Sequence, residues 1–528
     1  MGNHAQSKAR RFDVAVIGGS LGGVVAALSA ARRGKKVYLC EETGWIGGQL
    51  TSQAVPPDEH PWIESCGATQ SYMAYREDVR SYYRNHPQAS PALKNQQFLR
   101  PGGAWVSRIP HEPAVAHGIL RGYLQPYLER GVIELDLHTA AVSAVVEKDR
   151  IRSLRVQHRQ RGGFSQIDAN YFLDATECGD LLPIAGVDYR SGAESRSETG
   201  EPHAPLTADP TDMQPCTWVA ALELAEEEEQ LPPMAKPPLY DLFASVKAPY
   251  ADNLLFSWYG PDAKCGGASL FAMFDEDDPL HCGGMWRYRR IIAREDYTDN
   301  RREVSLLNWS QNDYSFGNIF DDPHAQQHRE LARQQTLCAV YWLRYHAPRT
   351  DGGKGYPVQL RPDIMGTADG LAMAPYVRES RRIAAVTTVC EQDLSKECQA
   401  GILRREDSVG VGHYAIDIHP TTQSHSFFYE PTWPFEIPLS AMIPKTIKNL
   451  LPACKNIGCT HLTNGCFRLH PVEWNVGEVA GYLAAFCLDR QITPIQVLHE
   501  QLAQFQALLV QNGIQLHWEP EKMEGFQG

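Results

Sequence analysis

The 528-residue chain has no apolar run near the roughly 18 residues of a membrane-spanning helix, so no membrane partner is expected. Dense basic stretches are also missing. Fifty Lys and Arg stand against 63 Asp and Glu, a formal charge of −13, and the only dense run of one sign is acidic, Glu226 to Glu229. A nucleic-acid binder needs a concentrated basic face, so no nucleic-acid partner is expected either. Close cysteine pairs are absent. Thirteen Cys scattered over the chain read as reduced cytoplasmic thiols, and the spacing of Cys454, Cys459 and Cys466 is not a CxxC pattern, so no metal site is expected. The polar start, MGNHAQSKARR, lacks the apolar centre of a secretory signal and the Ser or Thr that a myristoylation pattern needs at position 6. The expected location is the cytoplasm. No internal repeat occurs.

What is present is an ordinary globular composition, 43% hydrophobic and 21% charged, in a chain long enough for two or more domains. A short apolar strand from Phe12 to Gly18 meets a glycine turn. Small residues then recur at helical spacing from Leu21 to Arg33, Gly34 stops the helix, and KKVYLCE supplies the next strand, so the segment predicts a βαβ unit. From Gly131 to Asp174 period-two alternation broken by polar turns predicts a β-meander. The middle, about Gly192 to Pro434, is rich in Pro and aromatic residues and reads as an inserted cap with one clear helix, near His324 to Tyr345. NVGEVAGYLAAFCLDR and IQVLHEQLAQFQALLVQNG read as closing helices.

In a dinucleotide fold the three glycines of the turn give a tight bend, close approach to a diphosphate, and close packing of helix on strand. Here Gly18 and Gly23 hold the outer positions and Ser20 the middle one, with Gly19 and Gly22 between. Ser20 tolerates the turn, and its hydroxyl is placed to donate to a phosphate oxygen beside the helix amides. Glu41 and Glu42 end the second strand, and Glu41 is the better acceptor for ribose hydroxyls.

VIGGSLGG, WIGGQLTSQ, IPHEPAVA, FLDATECGD, NWSQNDY, YVRESRRI, AIDIHP and THLTNGCFRLHPVEWNVGEVAG occur in this order along nearly the whole chain. With them the sequence resembles the FAD-dependent oxidoreductases of the glutathione-reductase-like superfamily, in particular a bacterial group with some members labelled xanthan lyase. The resemblance implies an α/β fold: a Rossmann-like FAD-binding domain of glutathione-reductase type with a β-meander, plus an inserted α+β substrate or cap domain. Residues 11–60, 115–195 and 435–490 would form the FAD domain, 61–114 and 196–434 the cap, and 491–528 a C-terminal helix and tail. It implies the FAD diphosphate on the Gly18–Gly23 turn and the adenosine ribose at Glu41. Gly47, Gly48 and Gln49 would border the ring, Val142 the adenine, and Thr176 and Asp180 the ribityl and diphosphate. Glu177 departs from the pattern, which usually has Gly after DAT. A closing helix beginning near Asn475 and Val476 would aim its amides at the flavin, and a positive dipole end there favours the reduced ring.

The flavin carries the redox step, so the protein must orient a donor and handle a proton. Histidines titrate near neutrality. His461 in GCTHLTNG, His60 in VPPDEHPW and His111 in IPHEP are the catalytic candidates, with His419 in DIHP beside them; each is equally readable as a turn-stabilising donor. Arg378 and Arg381, three apart on an expected helix, would clamp a substrate carboxylate, or pair with Glu379 or Asp363. Asp417 and Tyr314 are weaker candidates of the same sort. A second fingerprint, SVGVGHYA with Gly410, Gly412 and Ala415, lacks a preceding apolar strand and a following helix, so NAD(P)H binding is not expected there. The expectation is an enzyme, an oxidase or dehydrogenase, taking electrons from a small organic molecule at a CH–N, CH–OH or CH–CH bond and passing them to oxygen or a protein acceptor. Alternatives are a redox-neutral lyase or isomerase, or a flavin electron-transfer subunit; a homo-oligomer is compatible with all of them.

Overall fold

The computed structural model describes residues 10–226, 231–262, 266–274 and 284–525; nearly all of the polar start and most of the run Glu226–Glu229 lie outside the described residues. Strand β1 (Arg10–Ile17) leads into helix α1 (Leu21–Arg32) and strand β2 (Val37–Cys40), the βαβ unit read from the sequence. Three more strands follow a long helical excursion: β3 (Ile133–Asp136), β4 (Thr139–Glu147) and β5 (Arg150–His158), and the eleven-residue β6 (Phe164–Asp174) closes the block. β1 is parallel to β2 on one side and to β6 on the other, and β2 is parallel to β3. The length of β6 lets it serve two further partners on the edge opposite β1. Its first half takes β5 antiparallel, completing the β4–β5–β6 meander, and its last three residues take β7 (Leu450–Pro452) in parallel. A strand from the far end of the chain thereby becomes the fifth parallel member.

Helix α2 (His470–Arg490) covers β7 and lies against α1. The two helices meet backbone to backbone. A Cβ on Gly477 would stand 2.2 Å from the Gly22 carbonyl oxygen, and one on Gly481 would stand 2.2 Å from that of Ala26. Gly477→Ala is therefore expected to overpack the crossing and cost about 1–3 kcal/mol, read as a lowered Tm. An unchanged Tm would mean the helices separate without cost.

α2 starts five residues earlier than the sequence suggested. Pro471 lies in its first turn, where a missing N–H breaks no helix bond. Asn475 and Val476 are consequently inside the helix rather than at its amide end, and Asn475 Nδ2 donates to the Val409 carbonyl at 3.1 Å.

The middle of the chain forms a separate core. Strands Arg290–Ile292, Val304–Leu307, Ala220–Leu224 and Val358–Leu360 make an antiparallel sheet in that order. The helix Ala325–Tyr345, expected from His324, packs with it around Trp258, Trp286, Trp309 and Trp342. A smaller ladder pairs Cys216–Thr217 with both Asp313–Tyr314 and Tyr376–Val377. Ser408–Gly412, the second glycine pattern, is a strand paired with Phe435–Pro438, and no helix follows it.

YVRESRRI is not helical. Tyr376–Val377 and Arg382–Ile383 are strands in different sheets. Its charged residues carry no apolar helical stripe, and strand pairing at both ends holds the segment extended.

Candidate functional site

A cavity of about 480 Å³ opens at the carboxyl ends of β1 and β2 and the start of β4. In open α/β sheets, ligands bind at that edge. Gly18, at φ +98°, turns the chain there; a Cβ on it would lie 2.2 Å from the Ala175 carbonyl. The wall continues through Glu41 and Glu42, then Thr139–Ala141 on β4, Ala175–Cys178 and Asp180 after β6, and Gly48, Ser52 and Gln53. Gly48 is the tightest point: a Cβ there would stand 2.1 Å from Glu177 Oε1. Bare backbone on both sides of a long cleft, acidic residues at the β2 end and the guanidinium groups of Arg159, Arg329 and Arg381 fit a dinucleotide with two phosphates.

The cofactor residues singled out in the sequence fall mostly into two groups. Gly18, Glu41, Glu42, Gly48, Thr176 and Asp180 line the cleft. Gly19, Ser20, Gly22, Gly23, Gly47 and Gln49 shape its floor from behind. Gly19 N–H donates to Glu41 Oε2 at 2.8 Å, Gly47 N–H to the Gly19 carbonyl at 2.7 Å, and Ser20 Oγ caps α1 by accepting from Gly23 N–H at 3.1 Å. Gln49 Nε2 donates to the Arg468 carbonyl at 3.1 Å and to Glu473. Val142 belongs to neither group. It is 41% exposed, the cleft's edge on β4 is Thr139–Ala141, and the β4–β5 register shifts between Ala141 and Ser143, leaving Val142 out of the ladder.

Burial pushes Glu41 up to about 7, with Glu42 adding to the effect, and burial also pushes Asp174, just below the turn, up to about 7. Under the start of α1 lies a buried charge cluster. Lys455, fully buried, pairs with Glu177; Glu473 accepts from Gly22 N–H at 3.0 Å; and Cys454 lies beside both carboxylates. Burial opposes the ammonium, yet Cys454, Glu177 and Glu473 hold its pKa well above the ordinary lysine value. Glu177, the departure from the glycine pattern, is thus matched by its own cation.

A second cavity, about 360 Å³, lies across the extended segment Pro375–Arg378. Pro375 and Val377 face the first cleft, and Tyr376 and Arg378 face the second, as strand alternation requires. Three ion pairs stand in its wall: Arg289 with Asp58 (3.0 Å), Arg378 with Asp313 (2.9 Å) and Arg468 with Asp417 (3.3 Å). His419 Nδ1 meets Asp313 Oδ2 at 2.8 Å, and Thr217 donates to the same carboxylate. Burial would raise Asp313, but Arg378 and His419 hold it well below the usual carboxylate range; His419 and Arg468 hold Asp417 at about 2 against its own burial.

Three of the four catalytic candidates stand outside both cavities. His461 Nδ1 bonds Glu379 at 2.9 Å in a buried network with Arg382 and Glu194. His60 is packed edge-on against Trp518, and His111 Nε2 bonds Tyr75 Oη at 2.6 Å; burial holds these two histidines neutral, at about 3 and about 4. Arg378 lines the second cavity, whereas Arg381 turns to the first and pairs with Asp180 at 2.8 Å, so the two do not form one clamp. The histidine that lines the second cavity is His419, with Asp417 beside it. Its chemical setting was invisible in sequence, because Asp313 and Arg378 lie far along the chain.

Among solved structures, the myxobacterial chondrochloren halogenase aligns at 13% identity over 96% of this chain and 84% of its own, TM-score 0.33. Anhydrotetracycline hydroxylase from Streptomyces rimosus aligns at 12% over 96% and 68%, TM-score 0.31. L-proline dehydrogenase from P. horikoshii aligns at 16% over 37% of this chain, which spans 28% of that dehydrogenase, TM-score 0.19. No curated protein sequence matches. The sequence pattern of the FAD dependent oxidoreductase family matches residues 13–509, almost the whole chain, and the protein belongs to that family, as an enzyme whose cofactor is FAD.

Proposed function

We propose that the first cleft holds FAD and that the second cavity receives a small organic donor, oxidised with oxygen or a protein as the final acceptor. The observation that carries this reading is the pairing of a glycine-turn cleft with a charged aromatic chamber across one strand-like segment. Glu41 accepts from the adenosine ribose, the Gly18 backbone and Thr176 border the diphosphate, and Arg329 and Arg381 offset its charge. Gly48, Ser52 and Gln53 border the ring end, as in the glutathione-reductase type of FAD domain. FAD, when bound, would supply the acceptor for a hydride from a donor carbon. The chain's own part is to exclude water with the aromatic wall, orient the donor with the paired arginines, and accept its proton.

An anaerobic screen with alcohols, amines and amino acids tests the reading: a substrate should bleach the flavin in a single turnover, and air should restore it. Redox-neutral turnover without bleaching would overturn it. Glu41→Arg is expected to weaken FAD binding at least about a hundredfold, about 2.7 kcal/mol, in a fluorescence-quenching titration, with Glu41→Gln losing less because it keeps an acceptor for Gly19. Equal affinities would place the ribose elsewhere.

A further inference from the structure

The second cavity combines two features that restrict what enters it. Its walls carry Trp105, Phe271, Tyr288, Trp309, Tyr376 and Tyr414, and its three arginines are matched one for one by Asp58, Asp313 and Asp417. Aromatic walls favour a flat, polarisable ring. A chamber whose fixed charges already cancel gives no net attraction to an ion and imposes a desolvation cost on one. The ligand class that fits is an uncharged aromatic molecule.

His419 gives that molecule a chemical requirement. In the neutral ring that donates Nδ1–H to Asp313, Nε2 carries the lone pair, and the nearest carboxylate oxygen, on Asp417, stands 3.7 Å away, beyond hydrogen-bond length. Both side chains keep about a quarter of their surface accessible, 26% and 25%. The groups facing His419 are Asp313, held by Arg378 and Thr217; Asp417, held by Arg468; and Gln214, whose Oε1 accepts from the His419 backbone N–H at 3.4 Å. Asp313 fixes the orientation of the ring through Nδ1.

We propose that the donor is an uncharged aromatic alcohol and that His419 is its general base, with Asp313 as the positioning residue. The inference rests on the reading that the second cavity is the donor site. The hydroxyl O–H bond breaks, its electron pair stays on oxygen, and the proton passes to His419 Nε2. The carbon-bound hydrogen departs with its bonding pair as the hydride already assigned to the family's cofactor, leaving an aromatic aldehyde or ketone.

The test uses the FAD-loaded protein with benzyl alcohol and its ring-substituted and two-ring analogues as donors, and with acetophenone and benzoate as non-reacting ligands. Acetophenone should perturb the flavin spectrum at lower concentration than benzoate. Members of the alcohol set should bleach the flavin anaerobically, with one ionisation in the rate–pH profile. In His419→Asn the bleaching should slow at least about 100-fold with FAD affinity and acetophenone binding retained, and that ionisation should vanish; in His419→Ala, added imidazole should restore part of the rate. Tighter binding of benzoate, bleaching by benzylamine and by none of the alcohols, or an unchanged pH profile in His419→Asn would each overturn the proposal. A protein that binds no FAD would fail the functional reading itself, whereas FAD bound without any aromatic response defeats this inference alone.

Discussion

Lys455→Met is expected to destabilise the protein by about 3–5 kcal/mol and to lower its occupancy with FAD. The ammonium is fully buried against Glu177, with the Glu473 carboxylate close by. Removing it leaves two carboxylates facing each other beneath the first turn of α1, with uncharged donors such as the Gly22 N–H, Gln49 and Gln53 and the helix dipole to hold them. Like charges at such distances cannot both stay ionised cheaply. Part of the loss should return in Lys455→Met/Glu177→Gln, because the second change removes the charge that the first left unpaired. Urea unfolding of the four proteins gives the coupling. A single mutant within about 1 kcal/mol of wild type, with no recovery in the double mutant, would mean that the cluster is solvated and the pairing unimportant.

Asp174→Asn should act in the opposite direction, and only above a certain pH. Burial lifts the Asp174 carboxyl from 3.8 to about 7, so the native state binds its proton more tightly than the unfolded chain does. A raised pKa contributes stability that is fully present below about 4 and is lost as the pH rises through 7. At pH 8 the native protein holds a buried carboxylate whose Oδ2 has no partner, while Oδ1 accepts from the Thr176 N–H and hydroxyl. Asparagine keeps the Oδ1 contacts and carries no charge. The mutant should gain on the order of 3 kcal/mol over wild type at pH 8 and nothing at pH 4. Thermal unfolding of the apoprotein at the two pH values tests this, and an equal difference at both would show that Asp174 is not the titrating group.

The parts of the molecule that were legible in sequence are those in which neighbours in the chain are neighbours in space. The β1–α1–β2 unit is set by apolar runs and a glycine turn within thirty residues, and the meander by period-two alternation, so both were readable. The three-residue spacing of Arg378 and Arg381 predicts a helix, whereas strand pairing at each end holds that segment extended and sends the two guanidinium groups into different cavities. The start of α2 was misplaced although Pro471 marked it. Val142 lies just past the cleft's edge, at a register shift between β4 and β5 that sequence alternation does not reveal. His461 is close to α2 in sequence, which makes it a candidate there; in space Glu379 claims its ring. His419 and the Lys455–Glu177 pair depend on partners that only the folded chain brings together.

The route of β7 and α2 sets a timetable for synthesis. The glycine turn and β1 to β6 have emerged by residue 174, yet the fifth parallel strand and the helix that meets Gly22 come only at residues 450–490. At about 5–20 residues per second, a ribosome needs roughly a quarter of a minute to a minute to make the intervening chain. Throughout that interval the flank of α1 that Gly477 and Gly481 will cover is bare apolar surface, and the cleft lacks its backing. FAD capture is therefore a late event, and a truncation anywhere before α2 should yield a chain that chaperones hold rather than a smaller flavoprotein.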